Sequence, residues 1–351
     1  MKVRFLILLW LLSVAAFSQD DAETTVIASS PNDSLRSQYI KSFPDHFFIW
    51  PVLKQRRLDF ELKNLSERGE MLTYKSNKPY SLGIGMYLFE VGLELTFAAP
   101  LDEKNKMIYG ESKARDLQLN VIGKRFGVDL FYQKYTGFYI VDPSNPIPSD
   151  TPYPQRPDIE SRNLGITANY VFNHQRFSFL SAYNFAERQL RSGGSFLLFG
   201  AVSSFKTKGD SAIIGDEYAA RFNADYRAKE INSTAFSIAP GYTYSILYKN
   251  FYINGMLALG PAHNWLSFIN EDGSSGNDIQ FNVYAAARLS LGYNGDRFFG
   301  GLIFLNQGRS AKFDDLQLTT SAGSFKILFG FRFKEVGILK KRVKDIPNDL
   351  F

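Results

Sequence analysis

Residues 280–292 read QFNVYAAARLSLG, and apolar and polar side chains alternate along this stretch. Phe281 and Leu289 occupy one set of alternate positions, and Gln280 and Ser290 occupy the other. Successive side chains of a β-strand point to opposite faces of the sheet. The stretch therefore predicts a strand with one apolar face and one face of polar or small residues.

The same period of two recurs along the chain of 351 residues, at 163–172, 235–245 and 324–333. The apolar positions are mainly Phe, Leu, Ile and Tyr, and the composition includes 32 Phe and 19 Tyr. The alternate positions are mainly Gly, Ser, Thr and Asn. These patterns extend beyond the ~5–6 residues of an average strand, so the sequence predicts an all-β protein with long strands.

Two architectures accommodate such strands. A soluble sandwich or lipocalin-like barrel buries the apolar faces, whereas a transmembrane barrel turns them toward lipid and lines its lumen with the polar faces. Aromatic residues gather within 132–139 and 248–252, as in the girdles that meet lipid headgroups. We therefore expect a transmembrane antiparallel up-and-down β-barrel in the bacterial outer membrane, in contact with outer-membrane lipid.

Loop lengths give a second pattern, since such barrels combine short periplasmic turns with long outer loops. The sequence predicts short turns at 89–90, 125–127, 173–176, 249–250 and 294–296. It predicts long outer loops at 99–114, 140–161, 262–279 and 308–322. Direct counting gives about twelve strands, and further strands at 57–64 and 212–223 restore the alternation. We expect about fourteen strands, with twelve as the alternative.

The N-terminus reads as a targeting segment. Lys2 and Arg4 precede an apolar run from Phe5 to Phe17, which is the plan of a secretory signal peptide. We expect four regions: a signal peptide at 1–18, a periplasmic N-terminal segment at 19–56, the outer-membrane barrel at 57–334 and a periplasmic tail at 335–351.

The composition excludes several classes of function. With 0 Cys and 3 His, the chain offers no thiolate metal site and few imidazole ligands. The net charge of +5 is mild and gives no nucleic-acid footprint. His46 falls before the expected barrel, His174 in a short turn and His263 in a long loop, so no Ser–His triad is predicted. We expect no enzyme activity, cofactor or metal.

Charged residues at polar positions are the candidate lumen groups: Glu94, Asp129, Arg288, Lys326 and Arg332. Opposite charges in a confined space usually pair, because an unpaired buried charge is costly. We interpret these residues as an internal salt-bridge network in a narrow or plugged barrel. A selectivity ring is the alternative, but it would need repeated like charges on one strand.

The last alternating stretch places Phe329, Phe331 and Phe333 on one face. This row resembles the aromatic terminal-strand signal that barrel-assembly machinery recognises, and we expect that machinery to be a partner. The tail 335–351 is rich in basic residues, which makes a periplasmic partner conceivable beside the alternative of a solvated end.

Three blocks of sequence resemble a family of bacterial outer-membrane barrel proteins known only as a domain of unknown function. They are SQYIKSFP at 37–44, the stretch 74–97 with LGIG at 82–85, and QLRSGGSFLL at 189–198. The resemblance covers roughly 37–334. It implies an outer-membrane barrel and carries no catalytic or ligand-binding residues.

Three classes of function follow from these features. The first is a porin-like channel or transport barrel with a polar, partly salt-bridged lumen. The second is a structural or interaction barrel that serves a secretion or surface-assembly system. The third is a lipid-modifying barrel enzyme. The sequence favours the first.

Overall fold

The computed structural model describes residues 31–44, 46–65, 69–88, 91–148, 150–222, 227–313 and 315–334. The predicted signal peptide, the turn at 89–90 and the tail 335–351 lie outside the described residues. The helices are α1 (Pro31–Tyr39), α2 (Glu103–Tyr109), α3 (Phe179–Tyr183) and α4 (Asp216–Ala219).

Fifteen strands are found in the described part of the chain. They are β1 (Ile40–Ser42), β2 (His46–Asn64), β3 (Met71–Lys75), β4 (Ser81–Leu88), β5 (Val91–Ala98), β6 (Lys113–Ile122), β7 (Phe126–Val141), β8 (Gln155–Val171), β9 (Glu187–Gln189), β10 (Gly193–Lys208), β11 (Ala228–Tyr248), β12 (Phe251–Asn270), β13 (Ser275–Asn294), β14 (Phe298–Phe313) and β15 (Leu316–Lys334).

A ring of antiparallel strands closes on itself. Its order is β2-β3-β7-β8-β10-β11-β12-β13-β14-β15, and β15 pairs back with β2 from Leu316↔Asn64 to Lys334↔His46. The predicted all-β antiparallel barrel is confirmed. The predicted count of about fourteen strands is not, because the closed ring has ten and three more strands lie beside it.

The three additional strands are attached at one end of the ring. We call the end with the turns 249–250 and 295–297 the lower end, and the opposite end the upper end. In the lower half, β4 pairs with β2 and β5 with β4, while β6 pairs with β7. Above them β3 joins β2 to β7 directly. The outer edges of β5 and β6 have no partner strand within the described ranges, and we call this gap the β5–β6 seam.

Burial alternates along the ring strands, as the period of two predicts. In β10, Phe196 is 69% exposed and Val202 is also exposed, whereas Phe199 is 1% exposed and Leu197 and Ser203 are buried. The outer surface carries exposed apolar side chains on many strands. The interior is not the wholly polar lumen that the alternation predicted, because large apolar side chains also point inward.

Several predicted boundaries are wrong. The predicted loop at 262–279 is largely β12 and β13, which are joined by residues 271–274. The predicted loop at 308–322 is largely β14, which ends at Phe313, and β15, which begins at Leu316. These strands extend beyond the residues that alternate between apolar and polar, because backbone pairing continues in register after the alternation ends. The loop at 142–154 agrees with the predicted one.

The two strands added for parity also differ from the structure. Residues 57–64 are the second half of β2, so the barrel begins at His46 and not at residue 57. Residues 212–223 form no strand in their described part; they contain α4, and their large apolar side chains, such as Ile213 and Phe222, are buried. The sequence of this segment resembles a strand because it contains apolar side chains, and these side chains are buried in the barrel interior.

None of the helices in the described residues is long and apolar enough to cross a membrane.

Replacing Gly85 tests the close packing of β4 on β2. An added Cβ would lie 2.1 Å from Cε2 of Trp50, whose Nε1 donates a hydrogen bond to Glu94 at 3.2 Å. We expect Gly85→Ala to lower the free energy of unfolding in urea by about 1–3 kcal/mol, the usual cost of overpacking. Gly255→Ala is the matched control, since no atom lies within 4 Å of its added Cβ. Equal effects of the two variants would contradict this packing.

Candidate functional site

The lower half of the barrel interior is filled by a segment of the chain itself. Residues 177–189, which we call the lower plug, contain α3 and β9. Phe177, Phe179, Tyr183 and Phe185 are buried there against Trp50, Phe199, Tyr252, Phe299 and other inward side chains. Ring contacts join Phe185 to Phe299 at 5.2 Å and to Tyr252 at 5.9 Å between centroids. The plug therefore belongs to the hydrophobic core.

The lower plug is tied to the N-terminal segment by a buried ion pair. Arg36 of α1 donates to both carboxylate oxygens of Glu187, at 2.7 and 2.6 Å. The same carboxylate accepts from Ser178 at 2.5 Å and from Ser42 at 3.0 Å. Strand β1 pairs with β9 as a separate two-stranded sheet. The N-terminal segment thus holds the lower plug in place.

A second inward segment fills the upper half. Residues 209–222, the upper plug, bury Ile213, Ile214, Tyr218 and Phe222 in a cluster with Leu58, Phe60, Leu62, Tyr74, Phe205 and other apolar side chains. The hydroxyl of Tyr74 donates to the carbonyl of Ile213 at 2.8 Å. Both halves of the lumen are therefore packed with apolar side chains.

Arg221 anchors the upper plug to neighbouring loops. Its Nη1 donates to Asp142 at 2.6 Å, and its Nε donates to Glu70 at 3.1 Å. Hydrogen bonds from this guanidinium hold the pKa of each carboxyl below its ordinary value. These ionised carboxylates favour the docked position of the plug.

Four of the five predicted lumen charges form ion pairs. Asp129 accepts from Arg288 at 3.0 Å, and Arg288 also lies over the rings of Phe179 and Tyr183 of the lower plug. Glu94 pairs with Lys326 at 2.8 Å and with Lys54 at 3.4 Å, although it lies on β5, outside the ten-stranded ring. These contacts form one pair and one separate group of three charges, and no common ring of like charges.

The fifth residue, Arg332, is held without an acidic partner. It is 2% exposed and donates to the carbonyls of Gly295 and Phe185 and to the side chain of Asn294, at 2.5, 2.6 and 2.7 Å. Its guanidinium lies over three aromatic rings, with Phe43 closest at 4.2 Å. No carboxylate of the described residues lies within 4 Å. Arg332 joins the lower plug to the turn 295–297.

Sequence reasoning missed two other interior groups. Asp116 on β6 forms ion pairs with Arg56 and Lys78 and accepts from Tyr135 at 2.9 Å. Its position in the alternation of residues 113–122 was the available signal. Arg309, on β14, is 9% exposed and lies 5.0 Å from the ring centre of Tyr284. It was missed because 308–322 was assigned to a loop.

The predicted assembly row lies on the outer face of β15. Phe329 and Phe333 are exposed and Phe331 is partly exposed, while the intervening Arg332 is buried. Phe331 stands 4.9 Å from Phe298 and 4.4 Å from Phe333, between ring centres. The row is part of an aromatic patch at the lower end.

The three histidines lie at separate places in the fold. His46 begins β2, and His174 accepts a hydrogen bond from Arg125 at 3.2 Å. His263 is on β12 and not in a loop, and its ring lies 4.4 Å from that of Trp265 and 4.7 Å from that of Phe281. No three His, Asp or Glu residues of the described chain are grouped to hold a metal ion.

This fold and interior define an antiparallel β-barrel that is plugged by its own chain. The chain belongs to the family of proteins with the domain of unknown function DUF4421, which matches residues 31–333. The predicted resemblance to a domain-of-unknown-function family is thus confirmed. No curated protein matches the sequence.

Among solved structures, the chain is similar to three outer-membrane proteins at low identity. Ail, the attachment invasion locus protein of Yersinia pestis, is 14% identical, with 60% of this chain and 97% of Ail covered at a TM-score of 0.23. OmpT of Vibrio cholerae is 8% identical, with 81% and 99% covered at 0.25. The toluene transporter TodX of Pseudomonas putida is 10% identical, with 87% and 92% covered at 0.25. Similarities at this level say nothing about what the chain does.

Acidification should release the upper plug. Glu70 and Asp142 have pKa values below their ordinary 4.5 and 3.8. Their ion pairs with Arg221 therefore stabilise the docked upper plug fully above pH 4.5, and this stabilisation is lost as the pH falls through the lowered pKa values of the folded protein. We expect protease cleavage within 209–222 to accelerate as pH falls from about 6 to about 3. The measurement uses a protease that is active in acid, and the cleavage rate is corrected for the pH dependence of that protease on an unfolded substrate. In Arg221→Gln, cleavage should already be fast at the higher pH. A wild-type rate independent of pH would contradict this anchor.

Proposed function

We propose that this protein is a bacterial outer-membrane β-barrel whose lumen is closed by its own chain, and that it serves as a structural or interaction barrel. The observation that carries this proposal is the filling of both halves of the interior by the two plugs. An open channel needs a continuous polar passage, and the geometry favours the interaction role over the channel suggested by the sequence.

The outer surface supports the membrane location. Exposed apolar side chains cover the outward positions of β12 and β13, with Leu257 63%, Leu259 57% and Phe281 79% exposed. Exposed aromatic residues gather at the lower end, including Tyr248, Phe251, Phe298, Phe329 and Phe333. An apolar band with aromatic margins is the surface expected of a barrel in lipid.

Assembly of such a barrel requires its last strand to find its first. The aromatic row Phe329, Phe331 and Phe333 faces outward on β15, whose edge is paired with β2. We propose that barrel-assembly machinery recognises this row before the pairing forms. Closure then removes the exposed edge of β15, which would be costly in lipid.

A gated channel is the second candidate, and one observation favours it. The upper plug is anchored at its C-terminal end by polar links from Arg221 to residues of two other loops. Polar links at a barrel mouth can be exchanged for water, so displacement of the plug is physically reasonable.

Charge substitutions on β12 test the membrane location. We expect Leu259→Arg, near the middle of the strand, to lower the unfolding free energy in phospholipid vesicles by about 2–4 kcal/mol. Ile269→Arg, near the upper end of the same strand, should cost about 0–1 kcal/mol because the headgroup region solvates the charge. If both substitutions were neutral, the outward face would not contact hydrocarbon.

Conductance in planar bilayers separates an interaction barrel from a channel. The refolded, membrane-inserted wild type should show no stepwise conductance, because both halves of its interior are packed. Stepwise conductance of the wild type would overturn the closed barrel. Conductance seen only when Arg221→Gln is combined with Arg36→Gln, so that the anchors of both plugs are removed, would support the gated channel. Silence of a folded, membrane-inserted double variant would support the interaction role.

A further inference from the structure

Three arginines on described ring strands, Arg288, Arg309 and Arg332, are buried, and their side chains are satisfied differently. Arg288 pairs with Asp129 at 3.0 Å. Arg332 donates to three oxygen acceptors. Arg309 is as buried as Arg288, yet its Nε and Nη2 find no acceptor among the described residues. No ion pair involves it there, and its recorded partner is the ring of Tyr284 at 5.0 Å.

Arg309 lines a small cavity whose wall is formed by side chains of the ring strands β8, β10, β11, β12, β14 and β15. The cavity leaves about 10 Å³ for the centre of a water-sized sphere, so it admits a single small particle. Its wall includes the side chains of Asn163, Ser203, Ser233, Asn264, Arg309 and Thr320. The wall is thus rich in hydroxyl and amide groups and contains a cation without any acidic residue.

A buried guanidinium without a counter-charge is costly. A water molecule can accept hydrogen bonds from the guanidinium but does not balance its charge. A small anion accepts the hydrogen bonds and also balances the charge. We propose that this cavity is a binding site for a monovalent anion of halide size, held by the Nε and Nη2 groups of Arg309.

The neighbouring side chains suit this ligand. The hydroxyls of Ser203 and Ser233 have no recorded hydrogen-bond acceptor and are free to rotate toward an anion. Asn264 keeps its Nδ2 on the carbonyls of Ala262 and Ser310, at 3.3 and 3.5 Å, so Arg309 and the two serines are the donors that remain for a ligand. The small volume excludes anions with organic substituents.

Unfolding in different sodium salts tests the site in the full mature chain. We expect thermal unfolding in detergent to shift upward with chloride or bromide, in a saturable manner, relative to gluconate at equal ionic strength. Arg309→Gln should lose this anion dependence, while Arg288→Gln, which removes a guanidinium already paired with Asp129, should retain it. An equal response of wild type and Arg309→Gln would overturn the proposal, as would no response of the wild type.

Crystals grown in bromide give a second measurement that needs no variant. An anomalous peak at hydrogen-bond distance from Nε and Nη2 of Arg309 would support the site. A water molecule with no anomalous signal at that position would overturn it.

Discussion

The pairing of β15 with β2 is the contact on which the rest of the barrel depends. It joins strands from the two ends of the described chain over most of their lengths, from Leu316↔Asn64 to Lys334↔His46. Without it the sheet would have two further, long open edges beside those of β5 and β6, and in lipid every unpaired backbone group on them would cost several kcal/mol. Closure also fixes the enclosed space, and that space determines which segments can be buried.

A ring of ten strands is wider than its own side chains can fill, since about eight strands give an interior that side chains just occupy. The chain solves this with the two plugs, which supply Phe179 and Phe185 below and Ile213 and Phe222 above. Interior charges lie among and between these clusters. The requirement for close packing therefore explains why the charges are paired or stacked on rings and do not line an open passage.

The local pattern of the sequence predicted the faces of the strands but not their extent. Outward Phe281 and inward Arg288 follow directly from alternation within one strand. The upper ends of β12 to β15 did not follow from the sequence. There the alternation of apolar and polar residues weakens, and backbone pairing with neighbouring strands maintains the strand. The sequence indicated a narrow or plugged barrel but did not identify the plug segments, because an apolar side chain such as Ile213 has the same local signal whether it faces lipid or lumen. Arg309 was lost with the misplaced loop at 308–322.

The β5–β6 seam allows two strand numbers in the lower half of the barrel. As the strands stand, the short β3 bridges β2 to β7 and sets the ring at ten. If the free edges of β5 and β6 paired with each other, β4, β5 and β6 would take the place of β3 in the lower half, and the ring there would have twelve strands. The upper half, still spanned by β3, would remain narrow. The barrel would then be wider in its lower half than in its upper half, and the lower plug would lie in the wider part.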